Sequence, residues 1–443
     1  MTAHIRKLLS DLGDMFWLLP ALMVLAGVLL GIGLVQLDEI GVVPAWLVKS
    51  DWLYNGGGTG ARTLLGVVAG STIGVAGTVF SITIAALSLA AGQMGPRLLR
   101  NFVRDRGNQF TLGAFLGTFC YSLMVLRSVR TVSEGAFVPN LALSVGILLA
   151  FLCVATLVYF VGHMAGRINV DTVIELVGEE ARNAVARLTT KTPSPDSLPL
   201  THWQDAAVLS DTRRGYLQQI DPEGLADWAA GHNTAIRLLV RPGDYVFPGA
   251  PVALLTQSVE GAEGAIRNAT ALGATRVSSD DLEFAMRQLV EVAVRALSPG
   301  INDPHTAISV LDRLGASLCD LAPLYLPTGV VLRDGKTVLS VPSVDYDGLV
   351  DTMFAMIRQN AAQSPAVLIR LMEVLTAVAN CERNPARLQS LRRHADLVCA
   401  DGEQAFRSKG DLDDLLKRRD AFTAMMETGL PDPLRGNPRA RVS

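Results

Sequence analysis

The sequence predicts a membrane α-helical protein with four transmembrane helices, followed by a cytoplasmic α+β domain in which a small β-rich module precedes a helical bundle. Two observations support this fold class. Long apolar runs fill the chain up to about residue 166, and ordinary mixed sequence follows. The mean hydropathy of the 443 residues is +0.32, and only 18% of them are charged. An apolar run of about 20 residues is long enough to cross a bilayer as a helix.

Four segments have the length and composition of a membrane span. They run over Phe16–Gln36, Thr63–Ala91, Phe110–Leu126 and Phe137–Val161. The third is short, so we expect either local thinning of the bilayer or a helix with little tilt. These segments place the transmembrane domain at 1–168, a helical connector and the β-rich module at 169–260, a mainly helical domain at 261–430, and a disordered tail at 431–443.

Basic residues beside the spans predict the orientation. Arg6 and Lys7 precede the first span, and a cluster of arginines separates the second span from the third. Short cytoplasmic loops are enriched in Lys and Arg, so we expect both termini in the cytoplasm. The arginines of the loop either anchor the chain at the membrane surface or surround the inner mouth of a pore. The residues predicted for the mouth are Arg97, Arg100 and Arg104.

The second span has one face made of small residues. Steps of three or four residues place them on one side of a helix. They are Thr63, Gly66, Gly70, Gly74, Gly77, Ser81, Ala85, Ser88 and Gly92, and the opposite face carries Leu65, Val68, Ile73, Phe80, Ile84 and Leu87. Two interpretations remain open. The small face packs closely against helices, within one protomer or between protomers, or it lines a narrow pore. Because this face is far longer than one packing contact requires, we predict a homo-oligomer whose second spans meet at the symmetry axis.

Ionisable groups are absent from the middle of every span, and His163 lies near the end of the fourth, where we expect an interfacial position without a function. Ion-coupled transporters need such groups inside the membrane, so passive conduction is favoured. We therefore predict an ion channel with a cytoplasmic regulatory domain. The alternative is a non-conducting scaffold or sensor, anchored in the bilayer, that binds a cytoplasmic partner.

No enzyme, cofactor or metal site is predicted. The sequence contains no GxSxG, HExxH or Gly-rich dinucleotide-binding pattern, and its five cysteines show no metal-ligand spacing. A net charge of −3 gives no general attraction to nucleic acid. The expected partners are the lipid bilayer, further copies of the chain, a small ion and a cytoplasmic protein.

The soluble part begins with a β-rich module and continues with helices. Strands are predicted at Gly215–Ile220, Ala235–Val240, Tyr245–Phe247 and Val252–Leu255, and a hairpin at Val330–Leu339 that turns on Asp334 and Gly335. Ser279 or Asp280 is predicted to cap a helix that ends at Leu297. On that helix Glu283, Arg287, Glu291 and Arg295 alternate in charge, which indicates a solvated face or a seam between subunits.

A polar corner follows this helix. A Pro-Gly turn, an Asx cap and a helix start are predicted within Ser298–Thr306, and the polar groups are Ser298, Asn302, Asp303, His305 and Thr306. Such an end can hold an anion or a polar ligand, so we expect a buried or subunit-facing corner that binds a ligand or couples the domains. An ordinary helix–turn–helix corner is the alternative.

Two runs of the sequence resemble one bacterial family. They are LAAGQMGPRLLRNFVRDRGNQFTLGAFLGTFCY at Leu89–Tyr121 and RQLVEVAVRALSPGINDPHTAISVLD within Leu282–Asp312. Both are similar to predicted membrane proteins grouped as domain of unknown function 2254. The resemblance implies a bacterial inner-membrane protein of this layout and supplies no activity, cofactor or catalytic residue. His305 stands where the family pattern would have an aromatic residue such as Phe, which argues against an essential catalytic role.

Overall fold

The chain divides into two compact units. The N-terminal unit comprises residues 10–92 and 96–169, and the C-terminal unit is formed mainly by 170–443. The structure, a computed structural model, describes residues 15–41, 54, 56–94, 105–130, 137–167, 170–196, 198–276 and 281–428. The predicted mouth residues Arg97, Arg100 and Arg104 lie outside these ranges.

Four apolar helices form the N-terminal unit, as the sequence predicts. They are α1 Leu18–Ile40, α2 Gly58–Met94, α3 Arg106–Ser128 and α4 Asn140–Arg167. Each is long and apolar enough to cross a membrane. The prediction that the third span is short is wrong, because α3 begins earlier. Asp105 caps its start by accepting a hydrogen bond from the Gly107 N–H at 2.8 Å, and the first turns bury polar residues that the hydropathy of the segment does not reveal.

The closest helix contact of this unit joins α1 to α3. A Cβ atom at Gly27 would overlap the carbonyl group of Gly117, and a Cβ at Gly117 would lie 2.9 Å from the carbonyl oxygen of Met23. Gly31 and Gly113 continue the two glycine rows one turn further along. Glycine pairs spaced by four residues let membrane helices approach with their backbones. The sequence analysis did not single out these glycines.

Strands and helices alternate in the C-terminal unit, and the predicted mixed α+β class is confirmed. In chain order its elements are α5 Val170–Leu188, a 3₁₀ helix Leu200–Trp203, β1 Ala207–Ser210, β2 Gly215–Ile220, α6 Pro222–Gly231, β3 Ile236–Leu238, β4 Tyr245–Val246, β5 Pro251–Leu255, α7 Ala262–Ala269, β6 Thr270–Gly273, α8 Leu282–Ala296, α9 Pro304–Leu321, β7 Val330–Arg333, β8 Lys336–Ser340, α10 Tyr346–Asn360, α11 Pro365–Cys381, α12 Pro385–Ala405 and α13 Lys409–Thr428.

Two sheets build the β-rich module. One has the order β1-β5-β3-β8-β7 and the other the order β4-β2-β6. The predicted hairpin is present as β7 and β8, and β8 pairs in parallel with β3, with Ile236 opposite Leu339. The hairpin therefore completes the module. The long helices that lie between β3 and β8 in the sequence, α8 and α9, belong to the helical part of the unit. Buried aliphatic side chains such as Leu225, Leu238 and Ala253 form the core beneath the sheets.

The helical part packs around α8, α9 and α11. Helix α5 lies against α8 and α9, and α11 contacts α9 and α13. The cap of α8 is Asp281, whose carboxylate accepts from the Phe284 N–H at 2.9 Å. The predicted caps Ser279 and Asp280 precede it and lie outside the described residues. A cap one residue later fits the start of α8 at Leu282.

The charge ladder on α8 is not a solvated face along its whole length. The Glu283 side chain is only 9% exposed, and its carboxylate lies 2.7 Å from Nη2 of Arg241 and 3.4 Å from Nη2 of Arg287. The hydrophobic face of α8 is wide enough to include this residue, so its charge is met by arginines instead of water. The prediction of a fully solvated ladder is wrong at its first member.

Candidate functional site

Helix α2 has one buried face, which packs inside the N-terminal unit. Residues of this face join two apolar clusters with α3 and α4, in which the partners include Tyr121, Phe115 and Phe160. The buried positions recur every three or four residues, and they are Ala61, Leu65, Val68, Ala69, Thr72, Ala76, Val79, Thr83 and Ala86. Helix α2 thus packs against its neighbours through the side opposite the small-residue face.

The small-residue face of α2 lies on the other side and is exposed in the single chain. Its members are Thr63, Gly66, Gly70, Gly74, Gly77, Ser81, Ala85, Ser88 and Gly92. Space for a Cβ atom is open at each of its five glycines, with nothing within 4 Å among the described residues. Among the described residues, no other helix of the same chain packs against this face. Contact between protomers and the lining of a pore stay predictions.

The residues predicted for the opposite face divide into two groups. Leu65 and Val68 are buried, whereas Ile73, Phe80 and Ile84 are exposed and flank the small-residue face. A helical period of 3.6 residues puts the second group between the small residues and the buried stripe. Large apolar side chains therefore lie beside the row of small ones on the exposed side of α2.

Hydroxyl groups on the exposed side of α2 are bonded to their own helix. Ser81 Oγ donates to the Gly77 carbonyl at 2.9 Å, and Thr78 Oγ1 donates to that of Gly74 at 3.2 Å. Each hydroxyl therefore has its donor satisfied while its oxygen can still accept a hydrogen bond. The surface is weakly polar and uncharged, which suits contact with another helix and also contact with water or a partly hydrated ion.

A hydrogen-bonded pair joins the start of α3 to the end of α4. Oδ2 of Asp105 lies 2.7 Å from Nε2 of His163, and the Tyr159 ring stacks on the imidazole with a centroid distance of 5.3 Å. A side chain at Gly107 would collide with the imidazole and the Tyr159 hydroxyl, so glycine keeps the pair together. His163 has a definite structural partner, which sequence analysis missed because Asp105 lies 58 residues away.

Polar groups also lie inside the N-terminal unit. The Asn108 side chain is 2% exposed, and neither its amide nitrogen nor its oxygen has a hydrogen-bond partner among the described residues. The same holds for Oγ of Ser122. Thr118 does have a partner, because the thiol of Cys153 lies 3.3 Å from its hydroxyl. The interior of the unit along α3 is therefore more polar than a pure membrane anchor requires.

The predicted corner of the C-terminal unit is a well-formed helix start. Asp303 caps α9, accepting from the His305 and Thr306 N–H groups at 3.1 and 3.2 Å and from the Thr306 hydroxyl at 2.7 Å. These bonds, led by that of the hydroxyl, lower the pKa of the Asp303 carboxyl. Asn302 adopts a left-handed φ of 51°, and the Ser298 hydroxyl donates to the Arg295 carbonyl at 2.6 Å.

This corner lies at the surface of the single chain. Pro299, Gly300, Ile301, Asn302 and His305 are exposed, so the expectation of a corner buried within the chain is wrong. Its polar groups mostly bond to one another and to nearby backbone, as an ordinary corner requires. A subunit-facing role stays a prediction. In the described ranges no group of three or more His, Cys, Asp or Glu side chains is placed to hold a metal ion.

Comparison with known proteins agrees with this architecture. Two relatives, uncharacterised proteins of Mycobacterium tuberculosis and Mycobacterium bovis, are each 32% identical over 419 residues, which cover 92% of this chain and 80% of theirs. No solved structure matches the chain. The model of one family, described as predicted membrane protein (DUF2254), matches residues 14–377. The chain, with its four apolar helices and the α+β unit that follows them, is a membrane protein that belongs to the DUF2254 family.

Proposed function

We propose that this protein is a homo-oligomeric channel for small ions in the bacterial inner membrane. The α2 helices would surround the symmetry axis, and the C-terminal unit would act as a cytoplasmic regulatory domain. One observation carries the proposal. No described residue covers the small-residue glycines of α2 from Gly66 to Gly92, while a close backbone contact between helices is made elsewhere, by Gly27 and Gly117.

Lipid is a poor partner for this face. Helix α4 presents large apolar side chains to the outside, with Phe151 70% and Val158 71% exposed, as contact with acyl chains favours. A row of glycines offers lipid little surface, but it lets a second helix approach closely or leaves room at an axis. The contrast between α2 and α4 therefore supports different environments for the two helices.

The chemistry of the α2 face suits passive conduction. Hydroxyl oxygens such as those of Thr78 and Ser81 can accept hydrogen bonds from water around an ion, and no described residue of the face carries a charge. Any preference for anions or cations would then come from the ends of the pore. The loop arginines Arg97, Arg100 and Arg104 are predicted to lie at its cytoplasmic mouth and would favour anions there.

A non-conducting scaffold or sensor is the second candidate. The same α2 faces would hold the copies together with no opening, and the C-terminal unit, which is the larger of the two, would bind a cytoplasmic partner. In neither case do we assign a catalytic reaction to the protein. Assembly through α2 is common to both candidates, so conduction alone separates them.

The test compares three forms of the full chain in liposomes. Gly74→Leu fills the small-residue face, and Gly162→Leu is the matched control, because it places the same side chain on an open position of α4. We expect the wild type and Gly162→Leu to form oligomers that pass ions, and Gly74→Leu to lose assembly or flux. A wild type that is monomeric in detergent and in liposomes would refute the proposal. Stable oligomers without flux across salts, pH and membrane tension would support the scaffold.

A further inference from the structure

A stripe of polar side chains runs along the buried side of α3. Its members, none of which is more than 4% exposed, are Asn108, Thr111, Thr118 and Ser122. Steps of three or four residues, or of two turns, keep them on one face of the helix. Phe115 shares this face and packs with side chains of α2 and α4 in one apolar cluster. The stripe therefore lies inside a single chain, where α2, α3 and α4 meet.

Two contacts fix how α4 lies beside this stripe. The thiol of Cys153 lies 3.3 Å from the Thr118 hydroxyl, and Nε2 of His163 lies 2.7 Å from Oδ2 of Asp105. The two helices are thus antiparallel along this contact. Thr156 is buried one turn beyond Cys153, on the way to His163. It therefore lies at the level where the stripe on α3 has no polar residue of its own.

A polar group therefore occurs about once per helical turn along the interface of α3 and α4. We call this set the polar column, and its order is Asp105 with His163, Asn108, Thr111, Thr156, Thr118 with Cys153, and Ser122. The rise of α3 from residue 105 to residue 122 is about 26 Å, and the hydrocarbon core of a bilayer is about 30 Å thick. The polar column is therefore long enough to reach through most of a membrane.

The polar column has hydrogen-bonding capacity that the protein does not use. Both polar atoms of the Asn108 side chain and Oγ of Ser122 are without a partner among the described residues. Thr111 and Thr156 donate to carbonyls of their own helices, each at 2.8 Å, so their oxygens can still accept. A buried donor or acceptor without a partner destabilises a folded chain. The unused groups of Asn108 call for a molecule that both donates and accepts, which is the chemistry of water.

We propose that α2, α3 and α4 of each chain enclose a row of bound water molecules along the polar column, and that this row is an inlet for protons. Levels one turn apart are separated by about 5.4 Å, which one water with two hydrogen bonds of about 2.8 Å can span. Each water accepts one proton and releases another, so a proton moves while the molecules stay in place. The His163 side chain is 17% exposed, so solvent reaches this end of the column.

Apolar side chains close the other end of the polar column. Beyond Ser122, the side chains of Leu65, Val125 and Leu143 are buried in one cluster with Tyr121, whose hydroxyl donates to a backbone carbonyl of α4 at 2.6 Å. The inlet is therefore shut at this end, and a smaller side chain in place of Leu143 should open it. Because every group of the inlet belongs to one chain, the inference does not depend on assembly through α2.

Radiolytic footprinting of the full wild-type chain in lipid nanodiscs tests for the water. Hydroxyl radicals formed from bound water oxidise the side chains beside it, whereas residues in a dry core react slowly. We expect Phe115 and Cys153 to be oxidised several-fold faster than Phe422 and Cys399, which are comparably buried in the C-terminal unit. Asn108→Leu should reduce this difference. Equal rates for the two pairs in the wild type would overturn the proposal.

Proton flux into liposomes, followed with an enclosed pH-sensitive dye, tests the inlet. Leu143→Ala should raise the flux several-fold over the wild type, and adding Asn108→Leu should return it to the wild-type level. Adding Asn140→Leu instead makes the same change at an exposed asparagine of α4 and should leave the flux raised. Any flux along the α2 face is common to all these proteins and cancels in the comparison. A rise that persists with Asn108→Leu, or no rise in folded Leu143→Ala, would overturn the proposal; if Leu143→Ala does not fold, the wild-type footprint decides.

Discussion

The carboxylate of Asp38 caps helix α4 by accepting hydrogen bonds from its first turn, at Leu141 and Ala142. Its Oδ2 lies 3.0 Å from the Ala142 nitrogen, and its Oδ1 lies 3.2 Å from that of Leu141. The first N–H groups of a helix have no partner within it, and a negative charge at this end is favourable. The cap of α4 is thus supplied by the last turns of α1, about a hundred positions earlier in the sequence.

Asp38→Ala should destabilise the N-terminal unit. Loss of a helix cap costs about 1 kcal/mol, and water cannot replace the carboxylate inside a bilayer as easily as in solution. Unfolding by titration with sodium dodecyl sulfate should show a lower midpoint for the variant. Glu39→Ala, which changes the exposed neighbour, is the control. Equal midpoints for both variants would contradict the capping role.

Gly27→Ala should separate α1 from α3. The added methyl group would meet the Gly117 carbonyl, and forcing extra volume into a packed contact costs about 1–3 kcal/mol. Gly33→Ala is the matched control on the same helix, because nothing lies within 4 Å of its Cβ position. The measurement is again the detergent unfolding midpoint. A Gly27→Ala protein as stable as Gly33→Ala would show that the two helices do not approach this closely.

Glu283→Gln should destabilise the C-terminal unit strongly. The substitution removes the negative charge that Arg241 and Arg287 share in a half-buried site, and breaking such a pair costs about 3 kcal/mol. The exposed Glu263, which pairs with Arg267 on the surface of α7, gives the control Glu263→Gln, for which we expect no measurable change. Thermal unfolding of the full chain, followed by circular dichroism, checks the difference.

His394 should make the C-terminal unit sensitive to acid. Its side chain is fully buried against Phe354, and burial, together with the charge of Arg393, lowers the pKa of the imidazole. The unfolded chain then takes up a proton below about pH 6.5 that the native state resists, so stability falls as the pH falls through that value.

His394→Gln should reduce this loss of stability between pH 7 and 5, because glutamine does not titrate and can still donate to Asp351, which lies 2.8 Å from Nε2. His232→Gln changes an exposed histidine and is the control. Melting temperatures of the three proteins across this range provide the measurement. A pH dependence that is identical in wild type and His394→Gln would contradict the assignment.

Asp303 separates the structural and functional explanations of the corner before α9. Asp303→Ala should lose the cap and about 1 kcal/mol of stability, whereas Asp303→Asn keeps an acceptor for the His305 and Thr306 N–H groups. If ion flux or partner binding changes in Asp303→Asn at unchanged stability, the charge has a functional role. If only Asp303→Ala has an effect, and that effect is on stability, the segment is an ordinary corner.

The elements that the sequence predicted well are those with local signals. Apolar length placed α1 to α4, period-two patterns and turn residues placed β2 and the hairpin at Asp334 and Gly335, and an Asx residue before proline placed the start of α9. The end of a span was less predictable. The first turn of α3, which begins at Arg106, contains Asn108 and Gln109, whose burial depends on neighbours that hydropathy does not describe.

The small-residue face of α2 could be predicted from the sequence, but its exposure in the folded chain could not. A period near 3.6 showed that Gly66 to Gly92 share one face of α2. It did not show that this face is exposed, or that the close contact within the protomer belongs to Gly27 and Gly117. Small residues permit close approach in every helix that carries them, so the partner of a glycine row follows from how the other helices pack.

The membrane location of the first third of the chain, the four spans and the mixed class of the remainder could be predicted from the sequence, because apolar length and periodicity are properties of contiguous residues. The tertiary structure was needed to show which face of α2 is covered, that Asp38 caps α4 and that β8 pairs with β3. Each of these contacts joins residues far apart in the chain, and its free energy depends on the packing of whole elements.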